Sequence, residues 1–186
     1  STKKYRIYGT STNMMNMNKL GLLPTRNYQE GTFEFAELVS GEYLDEHHKV
    51  KVIACAQCPI ACEQMSMVKK GPFAGSMTGI EYECLQAVSS NLGIDDMAAC
   101  IKLVDLADSS GMDAMSMGVT ISYAMECFEK GVLKKEDFIC KKKPEGIELN
   151  FGNGEGAVVV AEMIRDKEGI GALLSEGTRI ASNTID

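Results

Sequence analysis

DDMAACIKLVDLADSSGMDAMSMGVTISYAMECFEKG, residues 95–131, reads as two consecutive helices. Asp95 or Asp96 supplies an N-cap, a short carboxylate that accepts from the unpaired N–H groups of the first turn. Met97, Ile101, Val104 and Ala107 then recur at helical spacing and line one face, through about Ser109. Gly111 stops that helix, Asp113 caps the next, and Gly131 ends it. In the second helix Val119, Tyr123, Met125 and Phe128 leave almost no polar side, which places it centrally.

The helical reading extends outward from there. Thr78-Gly79-Ile80-Glu81 fits a capping box and predicts a helix to about Asn91, stopped by Gly93. Farther upstream, Lys3 to Asn18 suits a helix and turn, residues 21–27 an ordered loop, and Phe33 to Leu44 a short helix interrupted near Gly41. Downstream, Lys134 to Gly146 is a charged loop and Ile147 to Phe151 a short strand. Ala157 to Arg165 and Ala172 to Ser182 are two closing helices. No αβ alternation is sustained. The expected fold is all-α: one multihelical domain over 1–186, with irregular loops and little or no strand.

Composition removes several classes of function. The chain has 186 residues and a net charge of −7. A nucleic-acid partner would need clustered Lys and Arg, and the one basic run, Lys141 to Lys143, is short. No apolar stretch approaches the roughly 18 residues of a membrane span. The start, Ser-Thr-Lys-Lys-Tyr-Arg, carries no apolar signal region. Seven cysteines, an odd number, with twelve methionines fit a reducing cytoplasm better than a disulfide framework. The chain lacks an initiator Met and fits a piece of something longer.

Chemistry concentrates at Cys55-Ala-Gln-Cys58-Pro-Ile-Ala-Cys62. Thiolates this close in sequence converge on metal more readily than they serve a core. A [4Fe–4S] cluster takes four protein thiolates, commonly a local group plus one distant residue. Pro59 after Cys58 favours iron–sulfur; His47 and His48 just upstream keep structural zinc open. Cys84, Cys100, Cys127 and Cys140 are candidate fourth ligands, although Cys100 and Cys127 also suit buried helix positions.

Two further motifs carry carboxylates. In Glu81-Tyr82-Glu83-Cys84, the capping box occupies Glu81, whereas Glu83 stands among Ile80, Tyr82, Leu85 and Ala87. A carboxyl in apolar company suits acid–base work; an exposed helix Glu is the plain alternative. In Asp108-Ser-Ser-Gly111-Met112-Asp113, two acids bracket a glycine turn and could accept the N–H-rich edge of a pterin. A helix C-cap and N-cap account for the same residues. Gly152-x-Gly154-x-x-Ala157 matches a dinucleotide fingerprint but lacks a βαβ continuation, and reads as a turn.

In their joint order these motifs resemble the tungsten-dependent aldehyde:ferredoxin oxidoreductase family. The matching residues are Tyr8-Gly9-Thr10, Gly21-x-Leu23-Pro24-Thr25-Arg26-Asn27, Gly31-x-Phe33 and Ser40-Gly41-Glu42, then Cys55-x2-Cys58-Pro59-Ile60-x-Cys62 and Glu81-Tyr82-Glu83. They continue with Asn91-x-Gly93-x-Asp95, Asp108-x-x-Gly111-Met112-Asp113, Ser116-x-Gly118 and Glu176-Gly177. The resemblance implies a parent with tungsten between two pterin dithiolenes and a [4Fe–4S] cluster nearby. It implies an N-terminal β-rich domain gripping the bis-pterin, followed by two helical domains, of which this chain looks like the first.

On that resemblance, Cys55, Cys58 and Cys62 are cluster ligands. The fourth ligand lies in the next domain, in a second Asp-x-x-Gly-Leu-Cys. Asp108, Met112 and Asp113 contact one pterin, with Met112 where Leu is usual. Glu83 is the active-site Glu, with Tyr82 beside it. The implied partners are an aldehyde, ferredoxin as electron acceptor, the remaining domains of the same chain, and a second copy in a homo-oligomer. The isolated piece is expected to be inactive. Tungsten-dependent benzoyl-CoA reductase subunits share much of the pattern; there a cysteine can ligate tungsten, and Cys84 adjoins Glu83. A non-enzymatic iron–sulfur or zinc-binding module is the rival class.

Overall fold

The computed structural model describes residues 2–185. Helix α1 (Lys3–Tyr8) leads through a 3-10 turn at Thr10–Thr12 into α2 (Asn13–Leu20). A second 3-10 turn (Ala36–Val39) precedes α3 (Gly41–His47). Strands β1 (Lys49–Ile53), β2 (Glu63–Met67) and β3 (Met77–Ile80) form an antiparallel meander in sequence order. Then come α4 (Tyr82–Val88), α5 (Met97–Ser110), α6 (Ala114–Glu129), α7 (Gly154–Asp166), α8 (Gly171–Leu174) and α9 (Thr178–Ile185).

The central pair forms where the sequence places it. The Asp96 carboxylate accepts from Ala98 N at 2.9 Å and starts α5; that of Asp113 accepts from Ser116 N at 2.9 Å and starts α6. Ile101, Leu103, Ile121 and Met125 are fully buried, so these two helices carry the centre of the core. Burying one such side chain stabilises by about 1.5–3 kcal/mol. Gly118 lets α6 pass against α4, since a Cβ there would stand 2.5 Å from the Ala87 carbonyl oxygen.

The fold class is met in part, and three local expectations fail. The chain is mostly helical, but the sheet means it is not all-α. Residues 78–80 are strand, and the helix starts at Tyr82 rather than at the Thr78 capping box. A capping box is a local pattern, and here long-range pairing overrides it. Thr78 pairs with Ser66 across β2, and its hydroxyl donates to the Asp108 carboxylate. The first N–H of α4, from Tyr82, instead reaches Thr10 Oγ1 at 2.9 Å.

Farther on, Ile147 to Phe151 forms no strand. Ile147 and Leu149 are buried, but no ladder runs alongside them. The glycine turn after them is a helix start, with Asn153 Oδ1 accepting from Gly156 N at 2.8 Å. The closing helix expected over residues 172–182 is split in two by Glu176-Gly177. Among the described residues no helix is long and apolar enough to cross a membrane.

Candidate functional site

The three motif cysteines occupy the β1–β2 connection, residues 54–62. Ile53 and Glu63 close the hairpin beneath it. Cys55 is exposed; Cys58 and Cys62 are half-buried. The loop doubles back tightly, with Cys58 N donating to the Cys55 carbonyl at 3.0 Å. The residues immediately before the second and third cysteines, Gln57 (φ +62°) and Ala61 (φ +55°), are both left-handed. For L-residues this conformation costs about 1–2 kcal/mol each, and such strain collects at functional positions.

The thiols lie within electrostatic reach of one another and of a carboxylate. Burial pushes the Cys62 thiol up; Glu81, Cys58 and Cys55 add to it. Among the described residues no three His, Cys, Asp or Glu side chains stand close enough to share one metal ion. The upstream histidines lie away from the cysteine loop. His48 sits at the opposite end of β1, its backbone carbonyl accepting from Met67 N. The five strand residues between put it about 16 Å from the loop.

Helix α4 begins where β3 ends and brings the Glu-Tyr-Glu-Cys motif to the same face. Tyr82 is half-buried against the core, and Glu83 is exposed. Burial raises the Tyr82 hydroxyl, with the Glu83 charge adding. Glu81 is not tied up in a capping box. Burial holds its carboxyl above the usual carboxylate range, and Glu83 and Glu63 push it further. Cys84 is pushed up to about 11, by burial first and then by Asp108, Glu81, Glu83 and Asp113. The charges of those four acids all reach that one thiol.

The Asp108–Asp113 turn reaches the same neighbourhood through packing of α5 on β3. Asp108 is held by the Thr78 hydroxyl. Asp113 lies below its ordinary value, chiefly through hydrogen bonds from the Ser116 side chain and backbone. Met112 is half-buried against the core. With Asp113, Ser116, Thr120 and Gly177 it lines a groove of about 200 Å³ between α6 and the α8–α9 corner. The capping roles of Gly111 and Asp113 are real, whereas the Asp108 carboxylate caps nothing and takes the Thr78 hydroxyl. Glu81 and Thr78, read from sequence only as a capping pair, join this cluster, together with Cys84, a candidate fourth ligand by sequence. The odd cysteine beside two acids was the available signal for Cys84. Nothing local marked Thr78.

This constellation can be set beside known proteins. Residues 1–186 match the family model for aldehyde ferredoxin oxidoreductase, domains 2 and 3. The chain belongs to that family. It is 38% identical over 170 residues to a tungsten-containing aldehyde ferredoxin oxidoreductase of Pyrococcus abyssi, covering 91% of this chain and 27% of that protein. A tungsten-containing aldehyde ferredoxin oxidoreductase of Thermococcus kodakarensis is 36% identical over 171 residues, 92% of this chain and 27% of its own length.

A more distant relative carries another name. An aliphatic sulfonate oxidoreductase, WOR-like subunit, of Pyrococcus furiosus is 32% identical over 163 residues, 87% of this chain and 25% of its own length. Among solved structures, the active-site complex BamBC of benzoyl coenzyme A reductase, in complex with 1,5-dienoyl-CoA, superposes with a TM-score of 0.69 at 21% identity. That match covers 96% of this chain and 26% of the other, and at that identity it shows a shared fold. The chain thus spans about a quarter of the length of the relatives it matches.

Proposed function

We propose that this chain is the first helical domain of a tungstopterin enzyme that oxidises aldehydes to carboxylic acids. The observation that carries the reading is the convergence of the cysteine loop, the start of α4 and the Asp108–Asp113 turn on one face. Cys62 feels Glu81, and Cys84 feels Glu81, Glu83, Asp108 and Asp113. The residues fit the groups the family name implies. Three thiols on a strained loop suit a cluster, and paired carboxylates at a turn suit a pterin's N–H edge.

When bound, the tungsten bis-pterin and the [4Fe–4S] cluster supply the two-electron oxidation and its one-electron relay. This chain's residues do the rest. Cys55, Cys58 and Cys62 would hold the cluster through three thiolates, with a cysteine of the next helical domain as the fourth ligand. Asp108 and Asp113 orient one pterin, with Met112 as an apolar contact between them. Glu83 takes or positions a proton; Tyr82 stands beside it. Aldehyde and water give the acid, two protons and two electrons, and the electrons leave for ferredoxin. The missing domains supply the rest of the grip, so this piece alone does not turn over.

The test uses the full-length parent. Tungsten with iron and sulfide in the purified protein, and aldehyde-dependent ferredoxin reduction, are expected. Glu83→Gln should lower kcat at least about a hundredfold, the range of general acid–base catalysis. Full turnover by Glu83→Gln removes the catalytic role; stoichiometric zinc without sulfide removes the cluster.

A second reading has its own observation. Cys84 lies half-buried among four acids next to Glu83, in a chain that shares its fold with a benzoyl-CoA reductase complex. A benzoyl-CoA reductase-type subunit, with Cys84 on tungsten, would make Cys84→Ser lose tungsten as well as activity. An aldehyde oxidoreductase would retain the metal.

A further inference from the structure

Directly after the cysteine loop stands a glutamine whose placement no packing argument explains. Gln64 on β2 is 1% exposed. Its side chain turns back toward the loop, and Nε2 donates to the Cys62 carbonyl at 3.2 Å. Only the amide nitrogen can donate to a carbonyl, so the orientation is fixed. The amide oxygen is then left buried without a partner. Native proteins seldom tolerate such an atom. A leucine of similar bulk would fill the site and avoid it.

Gly9 supplies the second observation. It approaches the same two groups with φ at +67°. A Cβ there would lie 2.5 Å from Gln64 Cγ and 2.8 Å from the Cys62 carbonyl oxygen. The next residue, Thr10, holds the first N–H of α4. One turn of the N-terminal segment thus touches both the end of the cysteine loop and the helix bearing Glu83. Ser11, beside it, also buries a hydroxyl without a partner.

We propose that Gln64 is a positioning residue for Cys62, with Gly9 as the surface that seats it; this rests on the cluster reading above. The amide pins the Cys62 carbonyl directly after left-handed Ala61, and so sets where the Cys62 sulfur stands. The orphaned oxygen is what the fold accepts to keep that nitrogen in place.

The test compares full-length holoenzyme with Gln64→Leu, Gly9→Ala and Gln86→Leu. Gln86 is a matched control. It is 5% exposed and also carries an unpartnered amide oxygen, but its amide makes no hydrogen bond to the cysteine loop. The readouts are iron release to a chelator without oxygen, the electron paramagnetic resonance spectrum of the reduced cluster, and the melting temperature. Gln64→Leu and Gly9→Ala should release iron about tenfold faster, the scale of one lost buried hydrogen bond, with an altered spectrum. Gln86→Leu should release iron at the wild-type rate.

Wild-type release and spectrum in Gln64→Leu overturn the proposal. So does equal acceleration in Gln86→Leu, which would mark general loosening. Should Gln64→Leu not accumulate, wild-type behaviour of Gly9→Ala overturns it in the same way. A wild-type protein without iron and sulfide defeats the cluster reading itself, a result distinct from an intact cluster indifferent to Gln64.

Discussion

The α5–α6 pair and the β1–β2 hairpin are built on opposite terms. In α5 and α6 local and global preferences agree. Aspartates cap both starts, and the apolar faces are buried. In the hairpin they conflict. β1 is an edge strand with Val50 and Val52 exposed, and its loop holds non-glycine residues in left-handed conformations. Edge strands with free backbone groups are a liability that folds normally cover. The helical pair is a scaffold whose sequence serves stability. On the proposed function the hairpin serves the direction of three thiols, and the scaffold supports it.

The contrast is sharpest between a buried and an exposed substitution. Ile121→Ala in α6 should destabilise the chain by about 2–5 kcal/mol, through lost burial and a residual cavity; chemical denaturation measures this. Cys55→Ser, at an exposed position, should shift stability by no more than about 0.5 kcal/mol while lowering iron in the full-length protein. A large stability loss from Cys55→Ser would break the distinction between scaffold and site.

A smaller effect is expected at Asp113, which belongs to both. Asp113→Ala should cost about 1 kcal/mol as a lost N-cap. Its folded carboxyl lies below the ordinary 3.8. Its charge-linked stability is therefore present above pH 3.8 and is lost as pH falls through the lower folded value. Asp113→Asn should remove that part of the acid dependence, read from melting temperature against pH.

Two milder tests probe the site face itself. The Cys84 thiol, raised to about 11 against an ordinary 9.0, keeps its proton in the folded chain. Alkylation at Cys84 should still be climbing above pH 10, where an ordinary thiol has levelled off. A plateau by pH 10 would mean that burial and the neighbouring acids together do not hold the proton on Cys84. Ala61→Gly should raise the stability of the cluster-free protein by about 0.5 kcal/mol, the relief of left-handed strain less the entropy of glycine. Were it to destabilise, the loop would not be strained.

Sequence reading recovered most of the scaffold and named the motif residues that now share one face, for identifiable reasons. Asp96, Gly111 and Asp113 act within one helical turn of themselves, so their patterns are visible locally. Thr78 was misread by the same logic. Its pattern with Glu81 is a good local cap, but its partners are Ser66 and Asp108, twelve and thirty residues away. The sheet escaped notice because β1 offers only a brief apolar run and exposes most of it.

What the amino-acid sequence determined alone is the chemistry available and the helices that carry the core. Three thiols in eight residues, paired acids around a glycine, and capped apolar periods are all short-range facts. What the tertiary structure decided is which of these meet. The hairpin, the start of α4 and the α5–α6 turn share a face because β3 packs on α5 and Thr10 reaches across to Tyr82. Contacts of that kind depend on how distant segments bury surface together, which no local window records. Glu81, a cap by sequence, thereby becomes the carboxylate facing Cys62.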